Sequence, residues 1–191
     1  MHFTINAHHM YIAAISGSLR ADSINTRLLR NAQHLAPDGM TIDVLDISAI
    51  PLFNGDVESA GLPEAVRSVK DQVLRADGLL LSTPEYNHTY SGVIKNTLDW
   101  LSRGPDRPFP GKPVAVLAAS PGNFGGIRAQ TELRRLMLAL GAHVLPQPEL
   151  IVPQAPSKFD EQGVLIDERT QTTYRTLLTN LRDLIARLQQ A

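Results

Sequence analysis

Short apolar segments alternate with amphipathic helical patterns along the chain, and this alternation constrains the fold more than any other feature. Strands are predicted at residues 11–16, 42–47, 78–82, 113–119 and 143–145. Helices are predicted at residues 24–36, from residue 63 onward, and at 91–103, 127–140 and 174–188. Five strands that alternate with five helices imply right-handed crossovers and a parallel sheet covered on both faces. The predicted fold class is therefore α/β with three layers.

A chain of 191 residues has the length of one domain. Residues 1–10 contain three histidines and lack the apolar centre of a secretory signal. We interpret them as a native tail or as a cloning remnant that precedes an older start at Met10. Residues 11–191 are predicted to form one cofactor-binding domain.

The composition excludes several classes of function. The chain has no cysteine, which excludes disulfides, thiolate catalysis and cysteine-ligated metals. Its net charge of -1 gives no electrostatic footprint for nucleic acid or for an anionic membrane. No apolar run approaches the ~20 residues that span a bilayer. A cytoplasmic location is predicted, since the absence of disulfides is compatible with a reducing compartment.

The segment after the first strand has the composition of a phosphate-binding loop. A phosphate at a helix N-terminus is held by free backbone N–H groups and by the positive end of the helix dipole. Gly17 permits a turn and Arg20 offers a charged fork. The other candidates in this segment are Ser16, Ser18, Leu19, Ser23, Asn25 and Thr26. For any one polar residue taken alone, simple capping of the helix is the alternative.

Two competing phosphate motifs, G-x-x-x-x-G-K-[ST] and G-x-G-x-x-G, are absent. The pattern Gly17-Ser18-Leu19-Arg20-x-x-Ser23-x-Asn25 closely resembles the phosphate loop of the NAD(P)H-dependent FMN reductase family. That family includes bacterial quinone, chromate and azo-dye reductases.

The loops after the third and fourth predicted strands resemble the same family. Pro84-Glu85-Tyr86-Asn87 matches the flavin-facing loop, although proline and asparagine also favour a simple turn. Ser120-Pro121-Gly122-Asn123-Phe124-Gly125-Gly126 resembles S-x-G-x-x-G-G, in which glycines let the backbone approach a ligand. A flexible connection is the alternative there. Ser91 stands where the family commonly has proline, and we expect this to alter the helix start slightly but not the site. The resemblance covers residues 11–152.

The resemblance implies a flavodoxin-like sandwich with strand order 2-1-3-4-5, and an enzyme that binds FMN and uses NADPH or NADH. Two electrons would pass through FMN to a small acceptor: a quinone, an azo compound, chromate or free flavin. The flavin carries this chemistry, so no catalytic side chain is predicted. The alternatives are a flavodoxin-type electron carrier, which is usually strongly acidic, and a flavin-free binding domain. The acceptor and the preferred nicotinamide stay open.

The resemblance also implies a homodimer or homotetramer, with the helix at 91–103 as the contact and Trp100 as a candidate anchor. No metal site is predicted, because His34, His88 and His143 lie far apart in the expected topology. Arg103 and Arg107 flank a Gly/Pro-rich loop and are interpreted as a solvated rim.

Overall fold

The computed structural model describes residues 9–190, which form one α/β sandwich. Its strands are β1 (Met10–Ser16), β2 (Met40–Val44), β3 (Gly78–Thr83), β4 (Glu85–Tyr86), β5 (Thr89–Tyr90), β6 (Pro113–Ala119), β7 (His143–Val144) and β8 (Leu150–Val152). Its helices are α1 (Ile24–Leu35), α2 (Gly55–Ser59), α3 (Glu64–Arg75), α4 (Gly92–Leu101), α5 (Ile127–Ala139) and α6 (Glu168–Gln189), with a 3₁₀ turn at Ala155–Lys158.

The main sheet is parallel and has the order β2-β1-β3-β6. Next to β6, β7 pairs with the first residues of that strand and β8 pairs with its last residues. The predicted order 2-1-3-4-5 is confirmed. Side chains of β1 alternate between two cores: Ile12 packs on the face covered by α1 and α6, and Ile15 packs on the face covered by α3, α4 and α5. Both faces of the central strands are therefore buried, as their continuous apolar sequences require.

The second predicted strand differs from the structure by more than one residue at each end. Strand β2 ends at Val44, and beyond it the Asp46 carboxylate accepts a hydrogen bond from the Ser48 N–H at 2.9 Å in a turn. The fifth predicted strand, at 143–145, is observed as β7, and β8 is a further strand in the segment after it, where no strand was predicted. Pro146 and Pro148, which lie between these segments, have no N–H to donate to a sheet ladder.

Three short elements lie outside the predicted strands and helices. Helix α2 stands between the second predicted strand and the helix predicted from residue 63, and β4 and β5 form a hairpin in the loop after β3. Residues 1–8 of the predicted tail lie outside the described part of the chain, and β1 begins at Met10. Within residues 9–190, no helix has the length and apolar character needed to cross a membrane.

Candidate functional site

Three loops open onto one cleft at the carboxyl edge of the sheet, where parallel α/β sheets bind ligands. The cleft has a volume of about 210 Å³. Nine of the predicted site residues line it: Ser18, Arg20, Ser23, Asn25, Pro84, Glu85, Tyr86, Ser120 and Pro121. Ser16, Leu19 and Thr26 instead line a neighbouring cavity of about 410 Å³, which Ser18 and Arg20 also border. Asn87, Gly122, Gly125 and Gly126 line neither space.

The first loop presents both exposed and buried polar groups. Ser18 is half-buried and Arg20 is exposed, and the Arg20 guanidinium has no ion-pair partner among residues 9–190. Ser23 caps α1, because its Oγ accepts a hydrogen bond from the Thr26 N–H at 3.2 Å. The hydroxyls of Ser16 and Thr26 bond to each other at 2.7 Å. The loop therefore combines a capped start of α1 with a guanidinium, that of Arg20, that can bind an anion.

The Asn25 side-chain amide makes three hydrogen bonds within the protein. Its Nδ2 donates to the Ala119 carbonyl at 3.0 Å, and its Oδ1 accepts from the Ala119 N–H at 3.0 Å and from the Ser82 hydroxyl at 2.8 Å. Ser82 lies near the end of β3 and Ala119 is the last residue of β6. One buried amide thus fixes the start of α1 against the edge of the sheet beside the cleft.

The second loop is the β4–β5 hairpin. Asn87 and His88 form its two-residue turn with φ angles of 49° and 68°, as a type I′ turn requires. Asparagine tolerates this left-handed conformation, so Asn87 has a structural reason to stand there. Tyr86 is 52% exposed and presents its ring at the cleft.

Glu85 makes contacts that sequence reasoning missed. Its carboxylate accepts hydrogen bonds from the backbone N–H groups of Arg128 and Ala129, at 3.0 and 3.4 Å. It also forms an ion pair with the Arg128 guanidinium at 3.1 Å. Glu85 therefore caps α5 from the opposite side of the cleft.

The glycines of the third loop serve different purposes. Gly125 and Gly126 have positive φ angles of 61° and 86°, and a Cβ at either position would clash with Ile151 or Ala118. Their absence of a side chain is explained by packing against β8 and β6. At Gly122 a Cβ would meet only the Ser120 hydroxyl, at 3.8 Å, so this glycine leaves open space.

Comparison with known proteins decides the family. The model of the family described as NADPH-dependent FMN reductase matches residues 10–157. The chain belongs to the NADPH-dependent FMN reductase family. It is 45% identical over 178 residues to an NAD(P)H-dependent FMN reductase of Pseudomonas aeruginosa, covering 93% of this chain and 96% of the relative. It is 37% identical over 183 residues to a quinone reductase of Escherichia coli K12, covering 94% and 97%.

A solved structure gives the same result. The flavoenzyme NAD(P)H:(acceptor) oxidoreductase from Paracoccus denitrificans superposes with a TM-score of 0.85 at 34% identity, covering 93% of this chain and 98% of that one. Membership of the FMN reductase family confirms the predicted oxidoreductase activity with FMN and NAD(P)H. It disfavours the electron-carrier and flavin-free alternatives.

Arg103, Arg107 and Trp100, to which the sequence analysis gave no role in cofactor binding, do not line the cleft. The Arg103 Nε pairs with Glu58 at 2.8 Å, and Arg107 is exposed. The candidate anchor Trp100 was wrongly assigned, because its side chain is fully buried and its Nε1 donates to the Pro51 carbonyl at 2.8 Å. Among the described residues, no three His, Asp or Glu side chains are grouped to hold a metal.

Ser91 does more than shift a helix start. It caps α4 by accepting a hydrogen bond from the Ile94 N–H at 3.2 Å, and its hydroxyl donates to the Gly17 carbonyl at 2.5 Å. Its own N–H, which a proline would lack, donates to the Thr83 Oγ1 at 3.2 Å. Ser91 thus connects the loop after β1 to the end of β3.

Proposed function

We propose that the cleft binds FMN, with the phosphate at the loop after β1 and the ring between the hairpin and the glycine loop. The observation that carries this proposal is the convergence of all three loops on one cleft. Ser18 and Arg20 border both the cleft and the neighbouring cavity, so the two spaces adjoin at the loop suited to a phosphate.

The phosphate end is proposed to use charge and fixed hydroxyls. Arg20 has a guanidinium free of carboxylates in the described chain, and Ser18 adds a hydroxyl. The Ser23 oxygen caps α1, so its O–H can still donate to a phosphate. Asn25 is proposed to act by fixing the loop, since its amide is bonded to Ala119 and Ser82. Ser16, Leu19 and Thr26 complete the proposed set on the side of the larger cavity.

The ring end is proposed to use surfaces and backbone. Pro84 and Tyr86 form one wall, next to Asn87 and the carbon chain of Glu85. Ser120 and Pro121 form the other wall, the open Gly122 follows them in the chain, and Gly125 and Gly126 hold the backbone in place. Bound FMN would supply the redox chemistry, with NAD(P)H as the source of the electrons. The protein would bind the flavin, orient it and shield one side of its ring.

Arg20→Ala tests the phosphate assignment. Loss of a charge-assisted contact should cost about 1.5–3 kcal/mol, which weakens FMN binding roughly 10- to 150-fold. Riboflavin lacks the phosphate and should bind the variant and the parent equally. Arg135→Ala, on an exposed arginine of α5, is the control for the same change of net charge. Equal losses of riboflavin and FMN affinity would contradict the assignment.

The acceptor is proposed to be a small molecule that takes two electrons, with a quinone first among the candidates, because the Escherichia coli relative is named a quinone reductase. Steady-state assays with NADPH and NADH against a quinone, an azo dye and chromate would identify the acceptor and the nicotinamide. No turnover with any pair, in protein that retains FMN, would favour the electron-carrier alternative.

A homodimer or homotetramer is proposed from the family resemblance. Leu52 is 84% exposed and Val57 is 39% exposed, on a surface beside α4 that a second copy could cover. Light scattering of the holoprotein tests this, and a fully active monomer near 20.9 kDa would contradict it. We also propose a cytoplasmic location, which cell fractionation would check.

A further inference from the structure

Glu85 supplies a cap that α5 cannot provide for itself. The residue at the N-cap position of α5 is Gly126, whose φ of 86° and close packing on Ala118 favour glycine. Glycine has no side chain to accept the first N–H groups of the helix. The Glu85 carboxylate, from the hairpin 43 residues earlier, accepts two of them. Its side chain is only 13% exposed.

The same carboxylate is tied to the glycine loop through Arg128. The Arg128 guanidinium pairs with Glu85 at 3.1 Å and lies over the Phe124 ring, 4.6 Å from its centroid. Glu85 lines the cleft beside Tyr86, and Phe124 belongs to the loop on the other side. The pair therefore joins the hairpin and the glycine loop.

The arrangement also balances charge beside the cleft. One carboxylate stands against one guanidinium and the positive end of α5, so the group as a whole is close to neutral or slightly positive. Removing the carboxylate leaves the positive charge of the guanidinium and of the helix end without a negative counterpart. Removing the guanidinium leaves the negative charge of the carboxylate only partly balanced by the helix end. Two-electron reduction adds negative charge to the pyrimidine end of a flavin, so either change alters the relative binding of its two redox forms.

We propose that Glu85 is a positioning residue that, together with Arg128, sets the ratio of affinities for reduced and oxidised FMN. The proposal rests on the proposed binding of FMN in this cleft. A residue needed only for the fold would change stability without shifting this ratio in opposite directions in the two single variants.

The experiment measures the midpoint potential of bound FMN by anaerobic equilibration with a reference dye, and the affinity for oxidised FMN by fluorescence. Glu85→Gln retains an oxygen that caps α5 but loses the charge, and should raise the reduced-to-oxidised affinity ratio about tenfold. For a two-electron couple that is about +30 mV. Arg128→Met should lower the ratio by a similar factor, and the double variant should lie near the parent.

Glu132→Gln, which neutralises a carboxylate paired with Arg135 elsewhere on α5, is the matched control and should leave the potential unchanged. Single variants that shift the potential in the same direction, or not at all, overturn the proposal. Arg128→Met keeps the two backbone hydrogen bonds of Glu85, so it provides the test even if Glu85→Gln does not fold. Failure of the parent to bind FMN would refute the proposed function; normal binding with unshifted potentials would refute this inference alone.

Discussion

Asn25→Ala should destabilise the protein and weaken FMN binding together. The substitution leaves three buried groups without their partner: the Ala119 N–H, the Ala119 carbonyl and the Ser82 hydroxyl. An unsatisfied buried polar group costs about 1–3 kcal/mol. Because the adjoining cleft lets water reach the site, we take the lower bound for each group, which gives about 3 kcal/mol in total. In a domain of this size that corresponds to a fall in Tm of roughly 6–12 °C.

Asn31→Ala is the matched control, since Asn31 is a second buried asparagine on α1. Its amide donates to the carbonyls of Arg27 and Gly163, at 2.8 and 2.9 Å, and accepts from the Leu165 N–H at 2.8 Å. These contacts join α1 to the segment around Gly163 and Leu165, and none of them involves a strand end. We therefore expect a similar loss of stability for Asn31→Ala without a change in FMN affinity.

The assay is equilibrium denaturation of the apoproteins, because bound cofactor would itself raise the apparent stability. FMN affinity is then measured separately for each variant at a temperature where all of them are folded. We expect Asn25→Ala to lose at least tenfold in affinity, since the loop that we propose to hold the phosphate loses its anchor. A free energy of unfolding within 1 kcal/mol of the parent, or an equal loss of FMN affinity in Asn31→Ala, would refute this reasoning.

Two further predictions concern stability alone. Hydrogen bonds from Lys158 and then Thr170 lower the pKa of Asp167, the N-cap of α6, from 3.8 to about 2. Its stabilising contribution is therefore complete above about pH 5 and lost as the pH falls toward 2, so Asp167→Ala should cost about 0.5–2 kcal/mol at pH 7. Urea denaturation measures the difference in the free energy of unfolding between Asp167→Ala and the parent. A difference that persists unchanged down to pH 2 would contradict this prediction. Ser91→Ala should cost about 1–3 kcal/mol in the same assay, because the Gly17 carbonyl loses its buried donor; unchanged stability would show that water replaces the hydroxyl.

The positions of the central strands could be predicted because each of them carries its own signal, whereas their order was implied by the family resemblance. Segments such as Val114–Leu117 are apolar without interruption, which indicates burial on both faces, and glycine or proline marks their ends. Strand β8 has only three residues inside a proline-rich segment, and its pairing depends on β6, more than 30 residues earlier. No local pattern distinguishes such a strand from an extended loop, so β8 was not predicted.

The location of the cleft could also be predicted, because the carboxyl ends of parallel strands meet at one edge. The roles of its residues could not. Asn25 and Ala119 are 94 residues apart, and Glu85 and Arg128 are 43 apart, so no spacing in the sequence connects them. An asparagine in a polar loop has the same composition signal whether it meets a phosphate or two strand ends.

The glycine loop shows how one motif combines two requirements. Gly122 has open space next to its Cα, whereas Gly125 and Gly126 are required by the backbone and by contact with Ile151 and Ala118. Because the N-cap of α5 is then glycine, it has no side chain to accept the free N–H groups at the helix start. The Glu85 carboxylate of the hairpin accepts two of them instead, which ties the hairpin to the start of α5. The backbone geometry of the glycine loop thus explains why a charged side chain of the hairpin lies at this helix start.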